Sequence, residues 1–209
     1  MHPLLPEECR KRGRCPKMEL EYFRPVGKSS AVNIALLAIM TALATIMTLI
    51  IQIPYPGTSG YFNFGDTMVM LGGLLLGPVG GFFAGGVGSA LADIISGYTF
   101  YAPITLVVKG LEGMTVGFFS FKVKEKVRLS KWDIIGILVG AIIMLIGYFT
   151  AQVVLFGLAV AVGELVTVNL AQVVIGGVVA LIIGPTVRSY LRTMGVEQLE
   201  PLEESIDEF

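Results

Sequence analysis

The chain has 209 residues, 54% of them hydrophobic and 15% charged, with a mean hydropathy of +0.77 and 26 glycines. A soluble domain carries about 25% charged residues, so this composition excludes one and points to an integral membrane protein, with the lipid bilayer and not a nucleic acid as its surroundings. The formal net charge of −1 says little, but the placement of the charges says much.

Residues 1–30 are a basic tail containing Arg10, Lys11, Arg12, Arg14, Lys17, Arg24 and Lys28. It has no apolar core followed by a small-residue cleavage site, so the first apolar segment is expected to enter the membrane itself. Met18 is an alternative start. Cys9 and Cys15 lie in this tail and read as reduced thiols. With His2 they make three potential ligands, one short of a structural zinc site, and no metal is expected.

Polar or Pro/Gly punctuation then cuts the chain into six apolar segments. The first, 31–53, is stopped by Pro54-Tyr55-Pro56-Gly57. The second, 67–77, is short for a core of about 30 Å and ends at Pro78. The others are 79–96, 102–121, 133–161 and 164–187. Strands of a membrane barrel would alternate in short segments, so the predicted fold is an all-α bundle of six transmembrane helices over 31–190. Residues 191–209, with "EQLEPLEESIDEF", form an acidic tail.

Six crossings put seven basic residues before the first helix, five between the fourth and fifth (Lys122, Lys124, Lys126, Arg128, Lys131) and two after the sixth (Arg188, Arg192) on one side. The positive-inside rule makes that side, and both termini, cytoplasmic. No lysine or arginine falls in the loops of the opposite face. The short second helix predicts that the first outer loop dips into the membrane and brings Tyr61–Asp66 toward the buried polar groups. Glycines at helical spacing along "GGFFAGGVGSALAD" predict close helix packing.

Lys109 and Glu112 sit in an apolar stretch where an ionisable group costs at least ~2.5 kcal/mol. Asn169 and Gln172 lie at comparable depth on the sixth helix and Asp93 near the outer end of the third. With Asn63 and Asp66, four separate elements supply polar groups at one level, and Tyr61, Tyr98 and Tyr101 offer aromatic walls. Each admits a plain reading: an intrahelical ion pair for Lys109 and Glu112, a helix cap for Asp66, interhelical glue for Asn169 and Gln172, an interfacial belt for the tyrosines. Their shared depth favours a pocket for a planar, hydrogen-bonding small molecule. The motifs of metalloproteases, serine hydrolases and P-loop ATPases are absent, so no enzymatic activity is expected.

The runs "YFNFGDTMVMLGGLLLGPVGG", "GSALADIISGY" and "APITLVVKGLEG", with Ala38 and Ala42 spaced A-x-x-x-A in the first helix, resemble the substrate-binding S components of energy-coupling factor vitamin transporters. The similarity covers about residues 30–190 and is strongest to the riboflavin-specific branch. That resemblance implies a prokaryotic cytoplasmic membrane protein that captures riboflavin from outside as a transported ligand, with no cofactor of its own. It further implies a transmembrane T subunit contacting Ala38 and Ala42, two ATPase subunits that use the ATP, and toppling in the membrane. Tyr61, Asn63, Asp66, Asp93, Tyr98, Tyr101, Lys109, Glu112, Asn169 and Gln172 are the candidate substrate-binding residues. Pyridoxine or a thiamine precursor as ligand, a stand-alone carrier and a ligand-free assembly subunit remain alternatives.

Overall fold

A computed structural model of the chain describes residues 30–56, 60–120 and 129–193. The basic tail with Cys9 and Cys15, most of the lysine-rich loop and the acidic tail lie outside the described residues. The helices are α1 (Ser30–Ile50), α2 (Gly65–Phe82), α3 (Gly88–Ile95), α4 (Ala102–Ser120), α5 (Lys131–Phe156), α6 (Leu158–Glu164) and α7 (Leu170–Thr193). Single π-helical turns, Phe83–Val87 and Leu165–Asn169, carry α2 into α3 and α6 into α7. Five runs are long and apolar enough to cross a membrane by length and composition: Ala31–Ile50, Gly65–Ile95, Ala102–Ser120, Lys131–Phe156 and Leu158–Leu191.

The bundle is inverted relative to a soluble protein. Ile34, Val154 and Ile182 are each more than 65% exposed on its surface, while Asp66, Glu112, Asp133 and Gln152 are fully buried. Such an exterior suits hydrocarbon, and every polar group inside must then find a partner within the protein.

The Gly65–Ile95 run is not one straight rod. Gly77 adopts φ 76° and ψ −168°, and Pro78 follows it. That conformation is open to glycine and strained for other residues. A straight helix would hold Gly73 and Gly81 about 12 Å apart. Instead, a Cβ built on Gly81 would lie 2.8 Å from the Gly73 Cα, and one on Gly85 only 2.7 Å from Val69 Cγ1. The chain therefore doubles back at Gly77, and both arms pack against α4, where a Cβ on Gly86 would meet the Leu106 carbonyl at 2.6 Å. The glycine stripe is a packing surface, as its spacing predicts.

The reversal has a cost. Pro78 has no N–H, so the Leu74 carbonyl loses its helical donor. Arg188 of α7 replaces it, donating to Leu74 O from Nη2 at 3.0 Å and Nε at 3.3 Å. The same guanidinium donates to both carboxylate oxygens of Asp133 at 2.8 Å and to Ser120 Oγ at 2.6 Å. Arg188 is thus not the exposed charge its sequence position suggests but a buried clasp across α2, α4, α5 and α7.

The all-α expectation holds with one small exception, and one segment boundary needs correction. Among the described residues the fold is all-α except for a two-residue antiparallel ladder, β1 (Ile53–Pro54) with β2 (Tyr61–Phe62). It closes the first loop into a hairpin because Pro54 and Pro56 cannot continue α1. The break between the fifth and sixth segments falls at Gly157 (φ 87°), not at 161–164, so Glu164 lies inside a helical run. Glycine takes that φ without strain, and its N–H still donates to Val153 O at 3.1 Å.

Arg188→Leu strands a buried carboxylate and leaves the Leu74 carbonyl with only the Ser120 hydroxyl, which donates to it at 3.3 Å, and is expected to cost about 3–5 kcal/mol of stability. Thermal melts in detergent should show a large drop, only partly recovered by Arg188→Lys, whose ammonium cannot reproduce the bidentate fork. A drop no larger than that for an exposed arginine would remove the clasp from the account.

Candidate functional site

Lys109 of α4 is 3% exposed, and its ammonium is held between two carboxylates. Asp66 in the first turn of α2 pairs with it directly, and Glu112 approaches to 3.5 Å. The Lys109–Glu112 pair expected within one helix is therefore part of a triad spanning two. Nor is Asp66 a cap: it lies inside α2, whose N-cap position, Phe64, makes no side-chain cap bond. The turn into α2 is fixed by Asn63, whose Oδ1 accepts the Gly65 N–H at 2.8 Å, a local side-chain turn of the kind asparagine favours.

Gln172 of α7 links this triad to the loop. Its Nε2 donates to Asp66 Oδ2 at 3.2 Å and its Oε1 accepts the Asn63 N–H at 3.0 Å. Above them, Tyr61 donates to Asp93 Oδ1 at 2.6 Å, and its ring lies 4.9 Å from that of Tyr98. Burial, then the Asp93 charge, pushes the Tyr61 phenol far above its ordinary range, so it stays a donor. Across the bundle, Gln152 of α5 donates to Glu164 Oε1. A Cβ on Gly60 would overlap the Glu164 carboxylate, so the lack of a side chain there lets the hairpin sit against α6.

These groups converge on about 440 Å³ of space not filled by protein atoms, part of it open to the surroundings. The space is a set of narrow clefts under the hairpin. Of the ten predicted residues, Tyr61, Asn63, Asp93, Tyr101, Lys109, Asn169 and Gln172 line it. Asp66 and Glu112 stand behind Lys109, and Tyr98 packs on Tyr61 outside the lining. Sequence reasoning missed Thr48, Gly60, Ser89, Thr105, Tyr148 and Glu164. Glu164 carried the same signal as Lys109, a charge in an apolar run, but was read as a helix start. Tyr148 donates to Thr105 Oγ1 at 3.0 Å, with its ring centroid 5.6 Å from the Lys109 ammonium.

Several lining atoms are buried without a hydrogen bond: Ser89 Oγ, Tyr101 Oη and Asn169 Nδ2, while Asp93 has the Thr105 hydroxyl beside it as well as Tyr61. Such orphans cost about 1–3 kcal/mol each unless something answers them. Among the described residues no group of three or more His, Cys, Asp or Glu is placed to hold a metal.

Residues 28–189 match the family described as the ECF-type riboflavin transporter, S component. The chain belongs to that family. It is thus a transport protein and not an enzyme. A Pyrococcus woesei protein described as "Uncharacterized protein in gap 3'region" is 44% identical over 136 residues, covering 64% of this chain and 88% of that one. The thiamine precursor transporter HmpT of Lactococcus lactis subsp. cremoris (strain MG1363) is 27% identical over 156 residues, 74% of this chain and 87% of its own.

Lys109→Met leaves two carboxylates facing each other, whereas Glu112→Gln leaves Lys109 paired with Asp66. The first should lower stability by about 3–5 kcal/mol and the second by clearly less. The double variant should melt above Lys109→Met alone, because one stranded charge is gone. Equal melting temperatures for the two single variants would show that Asp66 carries no part of the pairing.

Proposed function

We propose that this chain captures a vitamin at the outer face of the membrane and delivers it through an energy-coupling factor complex, with riboflavin as the first candidate. The observation that carries the reading is the cavity beneath the hairpin, where Ser89 Oγ, Tyr101 Oη and Asn169 Nδ2 are buried without partners. Polar atoms left open in a dry interior are what a hydrogen-bonding ligand would satisfy. Riboflavin follows from the family description; the name of the Lactococcus relative supports a thiamine precursor as the second candidate.

In this reading the chain crosses the membrane six times, with the arms either side of Gly77 as separate crossings. Gly77, Ser120 and Arg188 then lie at the cytoplasmic end, and the hairpin 53–62 lies outside. Both termini are cytoplasmic, as the basic residues require. Family membership implies a T subunit and ATPase subunits as partners. Ala38 and Ala42 are exposed on α1, and their small side chains admit a closely packed helix from such a partner.

Riboflavin titrated into the purified protein should lose its fluorescence at a sharp equivalence point. Ala38→Trp and Ala42→Trp should keep that binding while abolishing uptake in cells that hold the whole complex. Loss of binding and uptake together would return this face to the fold. Normal uptake would remove the partner contact, and binding of a thiamine precursor in place of riboflavin would select the second candidate.

A further inference from the structure

Several helical threonines of this protein turn their hydroxyls back on their own helix. Thr48, Thr115, Thr150 and Thr167 each donate to the carbonyl four residues earlier at 2.7–2.8 Å, which satisfies a hydroxyl where no water reaches it. Thr105 of α4 points elsewhere. It is buried, and its Oγ1 accepts the Tyr148 hydroxyl of α5 at 3.0 Å. A hydroxyl oxygen that accepts one bond keeps its own proton for another, and the carboxylate beside it is Asp93. From the far side, Tyr61 of the hairpin donates to Asp93 Oδ1 at 2.6 Å. Tyr148, Thr105, Asp93 and Tyr61 thus form one file of polar groups from α5 across α4 and α3 to the hairpin. Its inner end is held as well, because the Tyr148 ring centroid lies 5.6 Å from the Lys109 ammonium, within reach of a cation–π attraction.

We infer that Tyr148 is a positioning residue of the site: it turns the Thr105 hydroxyl toward Asp93, and so strengthens ligand binding without bonding to the ligand itself. This rests on the vitamin-capture reading and names a residue that acts on the same site from behind. With Tyr148 donating to its oxygen, Thr105 has its proton directed away from α4 and toward the carboxylate. Without that donor, Thr105 is free to turn back on the Tyr101 carbonyl one turn earlier, as the other threonines do on theirs. Asp93 would then be steadied by Tyr61 alone, a residue of the hairpin and not of the bundle. A carboxylate fixed from both sides has its orientation set before the ligand arrives, which lowers the ordering cost of binding. Tyr148 reaches the cavity lining, but its own proton is committed to Thr105.

The test titrates the full chain in detergent with riboflavin and, separately, with the aminopyrimidine alcohol of thiamine, with a thermal melt of every variant. Tyr148→Phe keeps the ring beside Lys109 and removes only the hydroxyl. It should weaken binding of the probe that the native protein takes by about two- to tenfold, the net worth of one hydrogen bond. Thr105→Val should weaken it at least as much, whereas Thr105→Ser, which restores the hydroxyl, should bind like the native protein. In the Thr105→Val background, adding Tyr148→Phe should weaken binding no further, since the two changes break one file. A loss that persists in that background overturns the inference, because Tyr148 would then meet the ligand directly. Native affinity in Tyr148→Phe overturns it as well and leaves the vitamin reading standing, and a lowered melting temperature without a change in affinity would mark the file as structural. If the native protein binds neither probe, the vitamin reading fails and the positioning role fails with it.

Discussion

A lysine ammonium in the interior of a membrane bundle persists only if anions reach it, and the pairing of Lys109 with Asp66 and Glu112 sets conditions that the rest of the molecule meets. Asp66 reaches Lys109 only where α2 and α4 run nearly backbone to backbone. Glycine makes that approach possible: a Cβ at Gly73 would lie 2.9 Å from Val116 Cβ, and one at Gly117 only 2.6 Å from the Pro78 nitrogen. The second arm must then turn away sharply, which Gly77 and Pro78 allow. That turn takes a donor from the Leu74 carbonyl, and Arg188 supplies another. Ion triad, glycine seam, reversal and clasp are thus successive consequences of one buried charge.

The triad also forms the floor of the cavity. Gln172 bridges Asp66 to the backbone of Asn63, so the anchored end of the hairpin is tied to the charge cluster by two hydrogen bonds. Toward the other end, Gly60 lies against Glu164 and the Tyr55 hydroxyl against Gly163, where a Cβ would strike it. In the vitamin-capture reading the hairpin is the lid over these clefts. The lid holds by a few polar contacts to α6 and α7 and by the Tyr61–Asp93 bond, while the floor is held by ion pairs in a dry interior.

Much of this was legible in the residues. Lys109 announced itself by the cost of burying it, and Asn63, Asp93, Asn169 and Gln172 by their common depth. The stripe from Gly81 to Gly88 announced close packing. What failed to show was long-range pairing: nothing in the sequence says that Asp66 meets Lys109 forty-three positions away, or that Arg188 answers a carbonyl orphaned by Pro78. Gly157 was invisible as a boundary because it sits in an apolar run with no polar neighbour, and misplacing it made Glu164 look like a helix start. Tyr148 and Thr105 have apolar neighbours on both sides or a glycine beside them, where composition cannot separate a packed hydroxyl from a binding one.

In the vitamin-capture reading a small molecule occupies the clefts between the hairpin and the Lys109 triad. An experimental structure of the protein purified with a bound ligand tests it most directly. Density is expected between Asp93, Tyr101 and Asn169, with Ser89 Oγ and Asn169 Nδ2 bonded to it and the hairpin closed above. Ligand density elsewhere, with these polar atoms still unanswered, would contradict it.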